Sequence, residues 1–211
     1  LPKSRPELIN EAYDIYKKKG NRLDLADAFT KRHHTMWTHV EFIGVWDTVA
    51  ALKIEKSKFH DFSLSPCVNN AYHALSIDDD RKAFHPVLWN ETLVEGQSME
   101  QMWFCGVHTD IGGGYPETGL SDIALHWLLD HAISHGLRMY KDKGGKMDDL
   151  VKFEGNPDGP IHDPRQKWWE KIAYRQKIER FWPERDASGS TRGEPSIHPS
   201  VHQRTLDKTN S

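Results

Sequence analysis

Two apolar runs of strand length constrain this sequence most. Val40–Trp46 is rich in β-branched and aromatic residues, and Gln101–Val107 is almost continuously apolar. Runs of this kind are typical of strands that are covered on both faces, as in parallel sheets. Each run leads into a polar loop and then into a candidate helix. This order predicts a three-layer α/β architecture with a mostly parallel sheet.

The candidate helices differ in the strength of their signals. The clearest is Leu120–His135, where Ser121 or Asp122 can cap the first turn and Gly136 can end the helix. The sequence also predicts helices or helical turns at Pro6–Lys19, Leu23–His33, Val49–Leu52, Val68–Leu75 and Gln166–Ile178. Loops are predicted where glycine, aspartate and proline accumulate, at 55–65, 141–164 and 186–195, and a frayed tail is expected over Leu206–Ser211.

Composition excludes several classes of protein. The 211 residues suit a single domain. With 28 basic and 31 acidic residues the net charge is −3, which argues against a dedicated nucleic-acid binder. No apolar run approaches the roughly 18 residues that span a bilayer. The two cysteines, Cys67 and Cys105, are too few for a disulfide scaffold or a thiolate zinc site.

Two carboxylates come directly after the predicted strands. In open α/β sheets, functional groups lie on loops beyond the carboxyl ends of strands. Asp47 adjoins Val40–Trp46, where it could instead cap a helix. Asp110 comes after the second strand, beside His108 and a run of three glycines at 112–114 that allows close backbone approach. Asp110 could also simply cap this loop.

A late histidine supplies a candidate base. His198 lies near the end of the chain, and α/β-hydrolases place serine, acid and histidine in this order along the sequence. Asp110 and His198 fit the last two places. The first place is empty, because no serine lies in a Gly-x-Ser-x-Gly elbow and the nearest cluster, residues 189–193, has the wrong spacing.

Metal binding is an alternative. Imidazole and carboxylate ligands occur at His73, His85, His108 and Asp110 and in the run 78–80. His108 and Asp110 could share a cation, but no spacing matches a zinc signature such as His-Glu-x-x-His.

Five sequence blocks stand out between residues 42 and 201. They are Phe42–Val49 (FIGVWDTV), Ala71–Asp78 (AYHALSID) with Arg81, Trp103–Tyr115 (WFCGVHTDIGGGY), Leu120–Leu125 (LSDIAL) and Ile197–Val201 (IHPSV). In sequence and in order these blocks resemble a family of uncharacterised α/β-hydrolase domains that includes bacterial type VI secretion phospholipase effectors.

The resemblance implies a serine enzyme that hydrolyses lipid or other esters without a cofactor or metal. It implies Asp110 as the acid and His198 as the base, with Asp47 and His108 as supporting groups and Asp47 as the alternative acid. The family's serine elbow would lie upstream of Leu1-Pro2. Residues 1–211 would then be the C-terminal part of one hydrolase-like domain that lacks the N-terminal strands, and residues 141–195 a loop-rich insertion or lid.

Three functions remain open from the sequence. The chain is part of a lipase-like or phospholipase-like enzyme, a non-catalytic binding or scaffolding remnant of that fold, or a metal-dependent hydrolase. Expected partners are a lipid or ester substrate, the missing N-terminal half or another chain, and transiently a membrane surface, with no nucleic acid. The compartment stays open between bacterial cytoplasm and secretion. We expect Asp110 to lie within hydrogen-bond distance of His198, and the unpaired sheet edge to favour oligomers.

Overall fold

A computed structural model of the chain describes residues 5–18, 20–35, 38–49, 62–139 and 155–209. Within these ranges four strands and six helices follow one another, with short 3₁₀ turns at Pro6–Leu8 and Lys82–Phe84. The strands are β1 (Val40–Trp46), β2 (Val68–Ser76), β3 (Ser98–Phe104) and β4 (Ser196–Ile197). The helices are α1 (Ile9–Tyr16), α2 (Arg22–His33), α3 (His108–Gly112), α4 (Gly119–Ser134), α5 (Trp168–Ala173) and α6 (Pro199–Thr209).

The strands form one parallel sheet in the order β1-β2-β3-β4. Trp46 pairs with Ala74 at the end of β1, and Ser76 pairs with Phe104 at the end of β2. The carboxyl ends of these strands therefore meet at one edge of the sheet, which we call the carboxyl edge. Among the described strands β1 pairs only with β2, so it lies at one side of the sheet.

Helix α4 covers one face of the sheet. Tyr72 and Ala74 of β2 and Phe104 of β3 form a buried cluster with Ala124 and Leu128 of α4. The alternate residues of β2 point to the opposite face. There Leu75 and Trp103 pack against Leu88 and Trp182, which belong to irregular segments. The result is the predicted three-layer α/β fold, with a parallel sheet between helices and a layer of irregular chain.

The prediction of helix at Val68–Leu75 is wrong, because this segment is β2. It lies between β1 and β3, and eight of its nine residues are buried. A strand covered on both faces lacks the polar alternation that identifies a half-exposed strand, and such a run cannot be told from a short buried helix by periodicity alone. Sheet pairing on both sides decides its conformation.

Several predicted helix boundaries also change. Thr118, and neither Ser121 nor Asp122, stands at the N-cap of α4, and its hydroxyl donates to the Asp122 carboxylate over 2.9 Å. The helix predicted at Gln166–Ile178 shortens to α5. The tail is helical through Thr209 as part of α6. Predictions for residues 50–61 and 140–154 lie outside the described chain, and no described helix is long and apolar enough to cross a bilayer.

Leu75→Ala is expected to lower the free energy of unfolding by about 2–5 kcal/mol, because the leucine is fully buried and its removal leaves a cavity. Leu23→Ala is the matched control, since Leu23 is 78% exposed and should change stability little. Urea unfolding of both variants measures the difference. Equal stability of the two variants would contradict the core described above.

Candidate active site at the carboxyl edge of the sheet

Asp47 begins the site where β1 ends. Its side chain is fully buried, and its φ of +39° lies in the left-handed region that non-glycine residues rarely adopt. The backbone N–H of Asp47 donates to Ala74 over 2.7 Å, and Ser76 N–H donates to Oδ1 over 2.9 Å. The neighbouring strand therefore holds the carboxylate in a strained backbone position, which is common at functional sites.

His108 lies opposite this carboxylate, as the first residue of α3. Its Nδ1 is 2.7 Å from Oδ2 of Asp47. Because a carboxylate only accepts hydrogen bonds, Nδ1 is the donor, and Nε2 of the neutral ring carries the free lone pair. No described residue hydrogen-bonds to Nε2, and the side chain is 29% exposed. The arrangement is a partly exposed imidazole that a buried carboxylate orients through Nδ1.

Two further contacts fix the position of His108. Its backbone N–H donates to Oδ2 of Asp79 over 3.1 Å, and the buried guanidinium of Arg81 holds Asp79 through two hydrogen bonds of 3.0 and 2.6 Å. The Arg81 guanidinium lies 3.6 Å from the ring centre of Phe84, and that ring packs edge-on against His108 at 5.1 Å. The segment after β2 thus supports the imidazole from two sides.

Arg180 binds the other side of Asp47 and is 2% exposed. Its Nη1 donates to Oδ1 over 2.5 Å and its Nη2 to Oδ2 over 2.9 Å, which is the bidentate geometry. The remaining three donors reach backbone carbonyls: Ser76 at 2.7 Å, Asp79 at 2.9 Å and Phe84 at 2.7 Å. All five N–H groups are therefore satisfied, which a buried guanidinium requires.

The electrostatics of Asp47 and its neighbours are set by these contacts. Burial favours the neutral form of Asp47, but the hydrogen bonds from His108 and Arg180 outweigh it and hold the pKa of this carboxyl below its usual value. His73 lies nearby on β2, and burial lowers its pKa to about 4. Its Nε2 accepts the Thr48 N–H over 3.0 Å. His73 is therefore neutral at physiological pH, and it fixes the backbone directly after Asp47 by accepting this hydrogen bond.

Asp110 forms a second cluster beside the first. Its Oδ2 accepts the Val107 N–H over 2.9 Å at the start of α3, and its Oδ1 is 2.6 Å from Nδ1 of His162. The His162 ring stacks on Tyr115 at 3.7 Å, and its Nε2 is 3.2 Å from Glu117. Burial disfavours the imidazolium, but the hydrogen bonds to Asp110 and Glu117 outweigh it and raise the pKa of His162.

The expected hydrogen bond between Asp110 and His198 is not found among the described residues. His162 occupies that position on Asp110 instead. His198 comes after β4, where its N–H donates to Trp103 over 2.9 Å and its ring stacks on Phe104 at 4.7 Å. Its Nδ1 is 2.9 Å from the Ser200 hydroxyl, and burial lowers the pKa of the ring. In the described structure Asp110 and His198 therefore bond to different partners, His162 and Ser200.

The alternative in which His108 and Asp110 share a cation has no geometric support among the described residues. The two residues bond to different partners, Asp47 and His162. Within the described ranges no group of three or more histidine, cysteine, aspartate or glutamate side chains is arranged to hold a metal ion.

Sequence reasoning missed two residues of these clusters, His162 and Arg180. Both lie within residues 141–195, the predicted loop-rich insertion or lid, and no motif surrounds them. Arg180 reaches Asp47 across 133 residues, a separation that no local pattern records.

Arg180→Met is expected to destabilise the chain by about 3–5 kcal/mol, because it leaves the buried Asp47 carboxylate without its cation. Asp47→Asn in the same chain should recover part of this loss, since it removes the unpaired charge. Arg32→Met, at an exposed ion pair with Glu11, is the control that should change stability little. Chemical unfolding tests this, and equal stability of the two arginine variants would contradict it.

His162→Ala is expected to destabilise the chain more at pH 5.5 than at pH 8.5. A raised pKa in the folded state contributes stability that is fully present below the unfolded pKa of about 6.5 and is lost as pH rises through the folded pKa. The unfolding free energy of wild type and variant at both pH values gives the comparison. A difference between them that grows with pH would contradict the assigned direction of the pKa shift.

Comparison with known proteins gives a family match. Residues 1–131 match the family model of the type VI secretion system (T6SS) Tle1-like phospholipase effectors, catalytic domain. This range contains the three longer strands and both Asp47 and His108. No curated protein and no solved structure matches the chain. The chain therefore belongs to the Tle1-like phospholipase effectors of the type VI secretion system.

Proposed function

We propose that this chain supplies the acid and base of a serine-type ester hydrolase, with Asp47 as the acid and His108 as the base. The observation that carries the proposal is the 2.7 Å contact between Nδ1 of His108 and the buried carboxylate of Asp47, with Nε2 not bonded to any described residue. Membership in a phospholipase family supports hydrolysis of lipid esters.

The chemistry depends on the orientation of the imidazole. Nε2 of His108 takes the proton of a serine hydroxyl as that oxygen attacks the ester carbonyl, and Asp47 stabilises the imidazolium that forms. The same nitrogen then protonates the departing alcohol. Water, activated in the same way, releases the fatty acid from the acyl-enzyme. Asp47 remains ionised throughout, which its depressed pKa favours.

The proposal requires a serine nucleophile from outside residues 1–211, because these residues contain no Gly-x-Ser-x-Gly elbow. Asp47 and His108 follow each other in the order acid, then histidine, of α/β-hydrolases. Asp110 and His198 satisfy the same order, but their side chains bond to His162 and Ser200. Asp110 instead anchors α3, which carries His108, and is assigned a supporting role.

Substitutions distinguish the assignment of Asp47 and His108 from the assignment of Asp110 and His198. With the serine-bearing segment supplied in the same polypeptide, His108→Ala is expected to reduce phospholipid hydrolysis by roughly 10³-fold or more, because triad members act as a unit. Asp47→Asn should also cause a large loss, since the amide no longer fixes the ring tautomer. The measurement is kcat for fatty-acid release.

His198→Ala is the matched control, expected to retain most of the activity. Loss of activity in His198→Ala with retention in His108→Ala would overturn the assignment and restore the pair suggested by the sequence. No hydrolysis by any form that carries the serine segment would favour the non-catalytic scaffold.

A further inference from the structure

One segment crosses the carboxyl edge from β3 to β1. We call residues 162–180 the crossing segment. His162 bonds to Asp110 after β3, Arg165 and Lys177 pair with Asp80 after β2, and Arg180 binds Asp47 after β1. Each of the three strand ends thus presents an aspartate that a basic or imidazole group of this segment holds. These contacts attach the segment directly over the candidate active site.

Helix α5 projects from the middle of the crossing segment. Both ends of the projection return to the same place, because Arg165 and Lys177 share Asp80 and the Ile178 N–H donates to the Asp80 carbonyl over 2.9 Å. Tyr174 lies on the inner side of this projection. Its ring centre is 5.5 Å from that of Phe84, and the Phe84 ring in turn contacts His108. The projection therefore lies two ring contacts away from the candidate base.

The outer side of this projection is apolar and exposed. Trp168 is 75% exposed, Ile172 63% and Trp169 47%. Residues 168 and 172 are one helical turn apart and share a face of α5. Indole and aliphatic groups gain most from burial, and indole in particular prefers the boundary between water and lipid. An exposed cluster of this kind beside an active site indicates a contact surface.

The charge of the same surface identifies its partner. Four exposed cations, Lys167, Lys171, Arg175 and Lys177, lie in or next to α5 along the chain, and Lys167 lies over the Trp169 ring. The carboxylates of the same stretch are fewer: Glu170 is half-buried and accepts the Lys167 N–H, and Glu179 is exposed, while Lys177 pairs with Asp80. Within the described chain no carboxylate forms an ion pair with Lys167, Lys171 or Arg175. This local excess of positive charge contrasts with the net charge of −3 of the whole sequence. Aromatic groups surrounded by exposed cations fit an anionic phospholipid surface.

We propose that Trp168, Trp169 and Ile172, together with the surrounding cations, dock the protein on an anionic phospholipid bilayer and so bring the lipid ester to His108. The inference rests on the proposed hydrolysis of phospholipids. The inference identifies the surface that brings this site to its lipid substrate. Helix α5 enters the headgroup region of the bilayer. The ion pairs with Asp80 and Asp47 then hold the candidate active site at the membrane surface.

Vesicle binding tests the proposal. The chain is mixed with vesicles of phosphatidylcholine, with or without phosphatidylglycerol, and the bound fraction is measured by co-sedimentation. Binding is expected to the vesicles that contain phosphatidylglycerol and to weaken with added salt. Trp168→Ala/Ile172→Ala should weaken binding about tenfold or more, because it removes most of the apolar area that enters the lipid.

Two double variants complete the experiment. Lys171→Glu/Arg175→Glu should abolish the preference for phosphatidylglycerol. Ile9→Ala/Leu23→Ala removes apolar groups of similar exposure, 56% and 78%, from α1 and α2, and should bind as wild type does. All substituted positions are exposed, and circular dichroism verifies that each variant is folded.

Three results would overturn the docking surface: no binding of wild type to anionic vesicles, equal binding by both apolar double variants, or a Trp168→Ala/Ile172→Ala variant that only converts dimers to monomers in sedimentation velocity. The last result would assign the surface to a contact between copies. His108→Ala should bind vesicles normally. Vesicle binding that persists while hydrolysis proves independent of His108 overturns the proposed catalytic pair alone.

Discussion

The buried ion pair between Asp47 and Arg180 is the interaction on which the site depends. A carboxylate with no exposed surface is costly to bury unless its charge and hydrogen-bonding capacity are satisfied. Arg180 supplies two donors to Asp47 and uses its other three on backbone carbonyls after β2. One guanidinium thus neutralises the acid, fixes the strand ends around it and leaves one direction of the carboxylate for His108.

This arrangement affects His108 as well as Asp47. Asp47 divides its negative charge between a permanent cation and an imidazole, so His108 faces a carboxylate that is already partly neutralised. Arg180 holds both carboxylate oxygens in a bidentate contact, and Oδ2 also accepts the hydrogen bond from Nδ1 of His108.

The aspartates at the carboxyl edge join the strand ends to the neighbouring helices and segments. Parallel strands end at the same edge, and a buried or partly buried carboxylate lies shortly after each of the three longer strands. Asp110 fixes the start of α3, Asp79 accepts the backbone of His108, and Asp80 attaches the segment that carries α5. Each carboxylate offers several acceptor positions, so one residue can join a strand, a helix and a crossing segment.

The sequence by itself determined the fold class, strands β1 and β3, helix α4 and the identity of the polar groups at the strand ends, because these depend on local runs of apolar residues and on the polar residues directly after each run. It placed Asp47 and His108 near the site but ranked Asp110 and His198 above them, since chain order alone cannot tell which imidazole meets which carboxylate. Only the tertiary structure decided that pairing. Contacts between distant segments also decide the conformation of β2, the hydrogen bond between Asp110 and His162, and the contact of Arg180 with Asp47, 133 residues away in sequence. Such contacts leave no periodic signal in the sequence.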